Sequence, residues 1–252
     1  MQKRLDVYLS ENNTVKSRSL AAALIKQGSV EVNGRICTKP SYTVGDEDTV
    51  KIIGDMPKYV GRGGLKLEKA LTYYKLHLDG AVCIDIGAST GGFTDCMLHN
   101  GAIKVYSVDV GTNQLDEKLR NDPRVVSMEK TDIRKCVGVL PRVDFISIDV
   151  SFISLKLVLP SAYALLKDSG ECVALIKPQF EAGKAHLSKN GIVRDTKIHK
   201  KVCEEISQFS STVGFERGEV ITSPITGGDG NTEYLIYLRR PKTVSAKAGD
   251  EF

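Results

Sequence analysis

Apolar and polar positions follow two different rhythms along this chain. In the first sixty residues the apolar runs are short and of mixed period. Leu20, Ala21, Leu24 and Ile25 recur at helical spacing and predict a helix over 17–27, with Ser17 as N-cap and Gly28 as its stop. A shorter helix is expected over 4–10. Residues 29–32 and 35–37 read as a hairpin, because the intervening Asn33-Gly34 suits a type I′ turn. A further strand is expected over 49–53. Two helices and a small sheet make a compact module over 1–53, followed by a linker at 54–60.

From Gly61 the rhythm becomes an alternation of strand and helix. Leu67, Ala70, Leu71 and Tyr74 place a helix over 65–75. Apolar strands are predicted at 81–86, 103–108, 124–128, 143–149 and 171–176. Helices are predicted at about 92–100, 113–120, 154–167 and 196–212, and two last strands near 215–222 and 233–238. Such alternation predicts an α/β domain over 61–242, built on a parallel, Rossmann-like sheet with helices on both faces. Residues 243–252 form a polar tail.

Composition narrows the setting. With 252 residues, 41% hydrophobic and 26% charged, the chain suits one small and one medium globular domain. No apolar stretch approaches the roughly 20 residues of a membrane span, and no apolar core of a signal peptide follows the N-terminus. Stable membrane association is therefore not expected. The six cysteines are scattered, without a CxxC pair, which points to the reducing cytoplasm and against a zinc site; no metal is expected. The net charge of +4 is modest, but its placement is uneven. Residues 1–45 hold Lys3, Arg4, Lys16, Arg18, Lys26, Arg35 and Lys39 against Asp6, Glu11 and Glu31, an excess equal to that of the whole chain.

Candidate chemistry begins at 81–93, where an apolar strand runs into Asp85-Ile-Gly87-Ala-Ser89-Thr-Gly91-Gly92-Phe93. Glycines let backbone approach a ligand closely, and a helix N-terminus offers free N–H groups. Asp109 ends the second strand, where an acid can accept hydrogen bonds from both ribose hydroxyls of a nucleotide cofactor. Asp132, past the third strand, can meet an adenine amino group or simply cap the next helical turn. No Lys-Ser/Thr pair follows the glycines, which excludes a P-loop, and the second glycine of the dinucleotide fingerprint is missing. Asp85-x-Gly87 after an apolar strand instead resembles the first motif of class I methyltransferases.

Four further charges stand at the ends of these elements. Lys177 ends the apolar run 171–176 and is followed by Pro178; Asp149 ends the strand before it. Glu233 begins the last strand, and Lys66 lies in the first turn of a helix, where the dipole disfavours a cation. In chain order, Lys66, Asp149, Lys177 and Glu233 resemble the Lys-Asp-Lys-Glu tetrad of RNA ribose 2′-O-methyltransferases. Gly61-Arg-Gly-Gly-Leu-Lys66, Asp149-Val-Ser-Phe-Ile-Ser, Lys177-Pro-Gln-Phe-Glu and Asn231-Thr-Glu233-Tyr resemble the TlyA family, in which an S4-type RNA-binding domain precedes an FtsJ-like methyltransferase domain. The N-terminal pattern of Arg4, Lys16-Ser17-Arg18, Lys26 and Asn33-Gly34 resembles the S4 type and implies docking on structured RNA.

The family resemblance implies S-adenosylmethionine as cofactor and cytidine ribose in small- and large-subunit rRNA, within ribosomal subunits, as substrate. It also implies that Asp85, Gly87, Gly91 and Gly92, with Ser89 and Phe93 in the same turn, line the cofactor site. Lys177 then has two possible roles. Desolvation and Lys66 favour a neutral general base, whereas Asp149 and Glu233 favour a charged stabiliser of the alkoxide. RNA binding without catalysis, and the haemolysin label attached to this family, stand as alternative functions.

Overall fold

A computed structural model describes residues 2–12, 14–15, 18–26, 28–53, 57–228 and 230–242. Lys16, Ser17, Gln27, part of the 54–60 linker and the 243–252 tail lie outside the described residues. The chain divides into two compact units, residues 1–61 and 62–252.

In the first unit β1 (Lys3–Arg4) leads into α1 (Leu5–Glu11), followed by α2 (Arg18–Lys26). The strands β2 (Val30–Val32), β3 (Arg35–Ile36), β4 (Thr43–Val44) and β5 (Val50–Ile52) form a three-stranded sheet of order β3-β2-β5 and a separate β1-β4 pair. Val32 faces Arg35 across the hairpin, and positive φ at Asn33 (52°) and Gly34 (75°) gives the type I′ turn. Leu5, Leu9, Leu24 and Ile25 pack with Val30, Val32 and Val44 into the unit's core.

The second unit opens with α3 (Gly63–Tyr74). It continues through β6 (Val82–Ile86), α4 (Gly92–His99), β7 (Lys104–Val108), α5 (Glu117–Arg120), β8 (Val125–Met128) and β9 (Val143–Ile148). After these come α6 (Leu155–Leu165), β10 (Leu166–Ile176), α7 (Pro178–Glu181), α8 (Thr196–Val213), β11 (Glu216–Thr222) and β12 (Tyr234–Arg239). The sheet has order β11-β12-β10-β9-β6-β7-β8. Strand alternation sends Ile84 and Ile86 into one core with residues of α6 and α8, and sends Asp85 to the opposite face, against α4. Helices thus cover both faces.

One strand departs from the parallel arrangement. β12 runs antiparallel to both β10 and β11. Among its described residues the connection from β11 to β12 shows no helix, and a parallel return needs a crossover of about a dozen residues or more, usually helical. This reversal matters for the site. It brings the first residues of β12 to the same edge as the last residues of β6, β9 and β10. The expected 113–120 helix is also shorter. Asp116 caps α5 by accepting from Lys118 N–H at 2.9 Å, and the residues before it wrap around the cavity at the sheet edge.

Candidate active site

Four side chains join at that edge. Lys177 follows Ile176, whose partner across the antiparallel ladder is Tyr234, so Glu233 lies opposite it at the ladder's end. Asp149 follows β9, and its N–H donates to Ile86 O at 2.9 Å. Lys66 enters from the first turn of α3. Its Nζ lies 2.6 Å from Glu233 Oε2 and 3.9 Å from Asp149 Oδ2. Lys177 Nζ lies 2.6 Å from Asp149 Oδ1 and donates a hydrogen bond to Ser151 Oγ at 2.9 Å. The result is an alternating chain of charge, Glu233–Lys66–Asp149–Lys177. Lys66, Lys177 and Glu233 are all buried, and each ion is compensated by one of opposite sign.

Two cavities meet here. One, of about 290 Å³, is lined by Arg62, Lys66, Phe93, Lys177 and Thr226 among others. The other, of about 440 Å³, is lined by Val108, Asp109, Thr131, Asp132, Ile133, Val150 and Phe152 among others. Gly87, Ser89, Asp149 and Ser151 belong to both. Glu233 lines neither; it stands behind Lys66 and holds it.

The glycine turn is shaped by close approach. Gly87 has φ +83°, and a Cβ there would meet Asp149 O at 2.4 Å, so a side chain would push the two strand ends apart. Gly91, at φ +94°, packs against Leu119 and Leu115 instead of the cavities. Gly92 and Phe93 line the smaller cavity. Asp109 shapes the turn from the other side. Its carboxylate accepts from Ser89 N–H at 2.8 Å and from Gly111 N–H at 2.6 Å.

Asp85 is placed differently from the sequence expectation. It is fully buried beneath the turn, where its carboxylate accepts from Thr94 Oγ1 at 2.7 Å and from Ser147 Oγ at 2.9 Å. It supports the loop and lines neither cavity. Burial pushes its carboxyl up to about 7, against the pull of those two hydroxyl donors. Asp132 does line the larger cavity, yet it also caps the turn at Ile133–Lys135 and pairs with Arg134 at 2.6 Å. It thus caps that turn from within the cavity wall.

Sequence reasoning assigns no role to Ser151, Phe152 or Glu181, although all three lie in the motifs quoted above. Phe152 is 90% exposed at the rim, with φ 63°, and its ring centroid lies 5.0 Å from that of Phe180. A bulky residue held at positive φ and open to solvent is a signal available only in three dimensions. Glu181 of α7 accepts from Ser154 Oγ at 2.6 Å and from Leu155 N–H at 2.8 Å. These contacts fasten the segment after β9 to the segment after β10.

In the first unit, Arg4 and Arg18 converge on buried Asp6, at 2.8 and 3.2 Å. The two guanidinium groups hold the Asp6 carboxyl down at about 2. Both arginines remain about half exposed, and Lys26 is exposed. Asn33 is occupied within the unit, donating to Asp48 Oδ1 at 2.7 Å and accepting from Thr49 N–H at 2.9 Å.

Two family models match the sequence, the FtsJ-like methyltransferase over 59–240 and the S4 domain over 3–50. The 16S/23S rRNA (cytidine-2′-O)-methyltransferase TlyA of Mycobacterium tuberculosis is 38% identical over 97% of this chain and 93% of that relative. Hemolysin A of Brachyspira hyodysenteriae is 43% identical over 93% of this chain and 99% of its own length. A solved structure from Streptococcus thermophilus, provisionally named a hemolysin, is 46% identical, with a TM-score of 0.75 over 95% of this chain and 89% of that one. The chain belongs to the TlyA family, whose members join an S4 domain to an FtsJ-like methyltransferase domain.

Proposed function

We propose that this protein transfers a methyl group from S-adenosylmethionine to the 2′-hydroxyl of a cytidine ribose in rRNA, within a ribosomal subunit in the cytoplasm. The observation that carries the reading is the charged chain Glu233–Lys66–Asp149–Lys177, standing where a mixed polar and apolar cavity meets a polar one.

The larger cavity suits a nucleoside-bearing cofactor. Its volume falls in the range of small-molecule sites, and Val108, Ile133 and Val150 offer apolar walls. Asp109 uses its carboxylate to accept two backbone N–H groups and has lone pairs left for ribose hydroxyls. Asp132 stands past the third strand as a partner for an exocyclic amine. Gly87 lets the reacting end come close to Asp149. When bound, the cofactor supplies an activated methyl group.

The chain's own residues must then place a hydroxyl in line with that methyl group and manage its proton. Lys177 is poised for this. Its Nζ lies 2.6 Å from Asp149 Oδ1, and as an ammonium it would steady the hydroxyl oxygen as negative charge develops. Lys66, held by Glu233, fixes the other oxygen of Asp149 and so the direction in which Asp149 presents Lys177. The basic surface of the S4-type unit, with Arg4, Arg18 and Lys26, would dock the RNA. Lys16 and Ser17 belong to the same sequence pattern.

The test is incubation with labelled S-adenosylmethionine and unmethylated small subunits, large subunits or naked rRNA, followed by mapping of ribose methylation. Transfer to a cytidine 2′-oxygen is expected on at least one subunit. No transfer to any of them, with the cofactor demonstrably bound, would refute the reading. The relatives named hemolysin raise a membrane-active alternative. Among the described residues no helix is long and apolar enough to cross a membrane.

A further inference from the structure

The stretch from Lys184 to Lys201 is the most one-sidedly charged part of the second unit. It holds Lys184, Lys189, Arg194, Lys197, Lys200 and Lys201 against a single acid, Asp195, an excess larger than the +4 of the whole chain. All six cations are exposed. The one acid is occupied as the N-cap of α8, where it accepts from Lys197 N–H at 2.8 Å. Elsewhere on this unit exposed cations commonly pair with acids, as in Arg120–Glu129, Arg124–Asp122, Arg134–Asp132 and Lys167–Asp144. Lys184, Lys189, Arg194, Lys197 and Lys200 have no acidic partner among the described residues.

This stretch is also tied to the catalytic edge. It begins just after α7, the helix that Lys177 opens. Its middle is pinned to the start of β12. Asn231 accepts from Val193 N–H at 3.2 Å and donates to Gly191 O at 3.2 Å. One ring nitrogen of His199 bonds Val193 O at 2.9 Å and the other bonds the Tyr234 hydroxyl at 2.9 Å. Asn231 and Tyr234 flank Glu233 in sequence. A turn in which Ser188 O accepts from Gly191 N–H at 2.9 Å keeps the stretch folded back on itself. Burying Asn231 and His199 is costly unless their hydrogen bonds are made, and here most of those bonds hold this basic stretch in place.

We propose that residues 184–201 form a phosphate-binding surface of the methyltransferase unit itself. It would grip the backbone of the RNA strand beside the target ribose, separately from the S4-type unit. The inference rests on the RNA methyltransferase reading. Unpaired, fixed cations next to a catalytic edge suit a polyanion whose phosphates must be held in register while one of its riboses reacts. The hydrogen bonds to Asn231 and Tyr234, near Glu233 in sequence, keep this stretch beside the catalytic edge.

The test uses the full chain with its S4-type unit intact, and a variant carrying Lys184→Gln, Lys189→Gln, Arg194→Gln and Lys197→Gln. Binding to ribosomal subunits is measured across salt concentrations, together with kcat and KM for methyl transfer and with S-adenosylmethionine affinity. We expect KM for the subunit to rise at least tenfold. The slope of log K against log salt should fall by about 3, at roughly 0.7–0.9 for each phosphate that is no longer neutralised. Cofactor affinity, and kcat at saturating RNA, should stay within about twofold. A charge-retaining variant (Lys184→Arg, Lys189→Arg, Arg194→Lys, Lys197→Arg) should restore the wild-type slope. Wild-type transfer with an unchanged KM and slope in the Gln variant overturns this inference alone; absence of transfer by the wild type overturns the function it rests on. A variant that keeps RNA affinity but loses binding to phosphatidylglycerol vesicles would also overturn it, assigning the surface to lipid.

Discussion

Lys66 and Glu233 are 167 positions apart in the chain and 2.6 Å apart in the fold. Both are buried, so each makes the other tolerable. Removing one partner should leave an uncompensated ion. Glu233→Ala is expected to lower stability by roughly 3–5 kcal/mol and to abolish transfer. The double variant Lys66→Met, Glu233→Leu should recover most of that stability without recovering activity, because Asp149 then loses the cation that orients it. Denaturant unfolding read beside methyl transfer checks this. Activity in the double variant would show that the pair serves the fold alone.

The contact between Lys177 and Asp149 sets a second expectation. If Lys177 acts as an ammonium, arginine should replace it in part, since a guanidinium stays charged at any working pH. Lys177→Met should lower kcat by about 10²–10³, the usual cost of one stabilising donor. Lys177→Arg should retain at least tenfold more activity than Lys177→Met. If both variants bind S-adenosylmethionine and are equally inactive, the proton passes to a neutral Lys177 instead.

Asp85 predicts how stability varies with pH. Its carboxyl is raised by burial to about 7, whereas in the unfolded chain it titrates near ~3.9. Between those values the folded state binds the extra proton. The contribution is therefore fully present below about pH 4 and is lost as pH rises through about 7. The span corresponds to at most about 4 kcal/mol at ~1.4 per unit. Asp85→Asn keeps the volume and stays neutral throughout, so its stability curve should be flatter between pH 4 and 7. Chemical denaturation at several pH values measures this, and parallel curves for the two proteins would contradict it.

The extent to which the site can be read from sequence depends on which signals are one-dimensional. Lys177 stands out because a lysine-proline pair ends an apolar run, and Asp149 because it ends the preceding one. The reversal of β12 leaves no such trace. Its apolar run reads the same in either direction, yet that reversal is what brings Glu233 to the edge. The family resemblance implies a cavity-lining acid at Asp85, while strand alternation turns it away. A clue is present in Ser107 and Ser147, polar residues within apolar strands, which pair in register with Asp85 on either side. Glu181 and Phe152 are invisible as functional positions because their importance lies in contacts across two loops, which a single strand-and-helix pattern does not encode.

Glu181 carries the last prediction. Its carboxylate spans the start of α6, accepting from Ser154 Oγ and Leu155 N–H, while its own helix begins at Lys177. Phe180 meets Phe152 beside it, so the segment bearing Asp149 and the segment bearing Lys177 are joined at three successive points. Burial raises the Glu181 carboxyl above its ordinary range, and the bonds to Ser154 and Leu155 oppose that rise. Glu181→Ala should free Leu155 N–H and loosen Asp149 against Lys177. Stability should fall by about 1–2 kcal/mol, as for the loss of a helix cap. The decisive readout is the kinetic split. As a positioning residue, Glu181 should affect kcat by about tenfold or more, with KM for RNA and the affinity for S-adenosylmethionine little changed, because neither ligand needs the carboxylate itself. Glu181→Gln keeps one acceptor oxygen and should restore part of kcat. If Glu181→Ala melts earlier but turns over at the wild-type rate well below its melting temperature, the carboxylate braces the fold and does not position the Lys177–Asp149 pair.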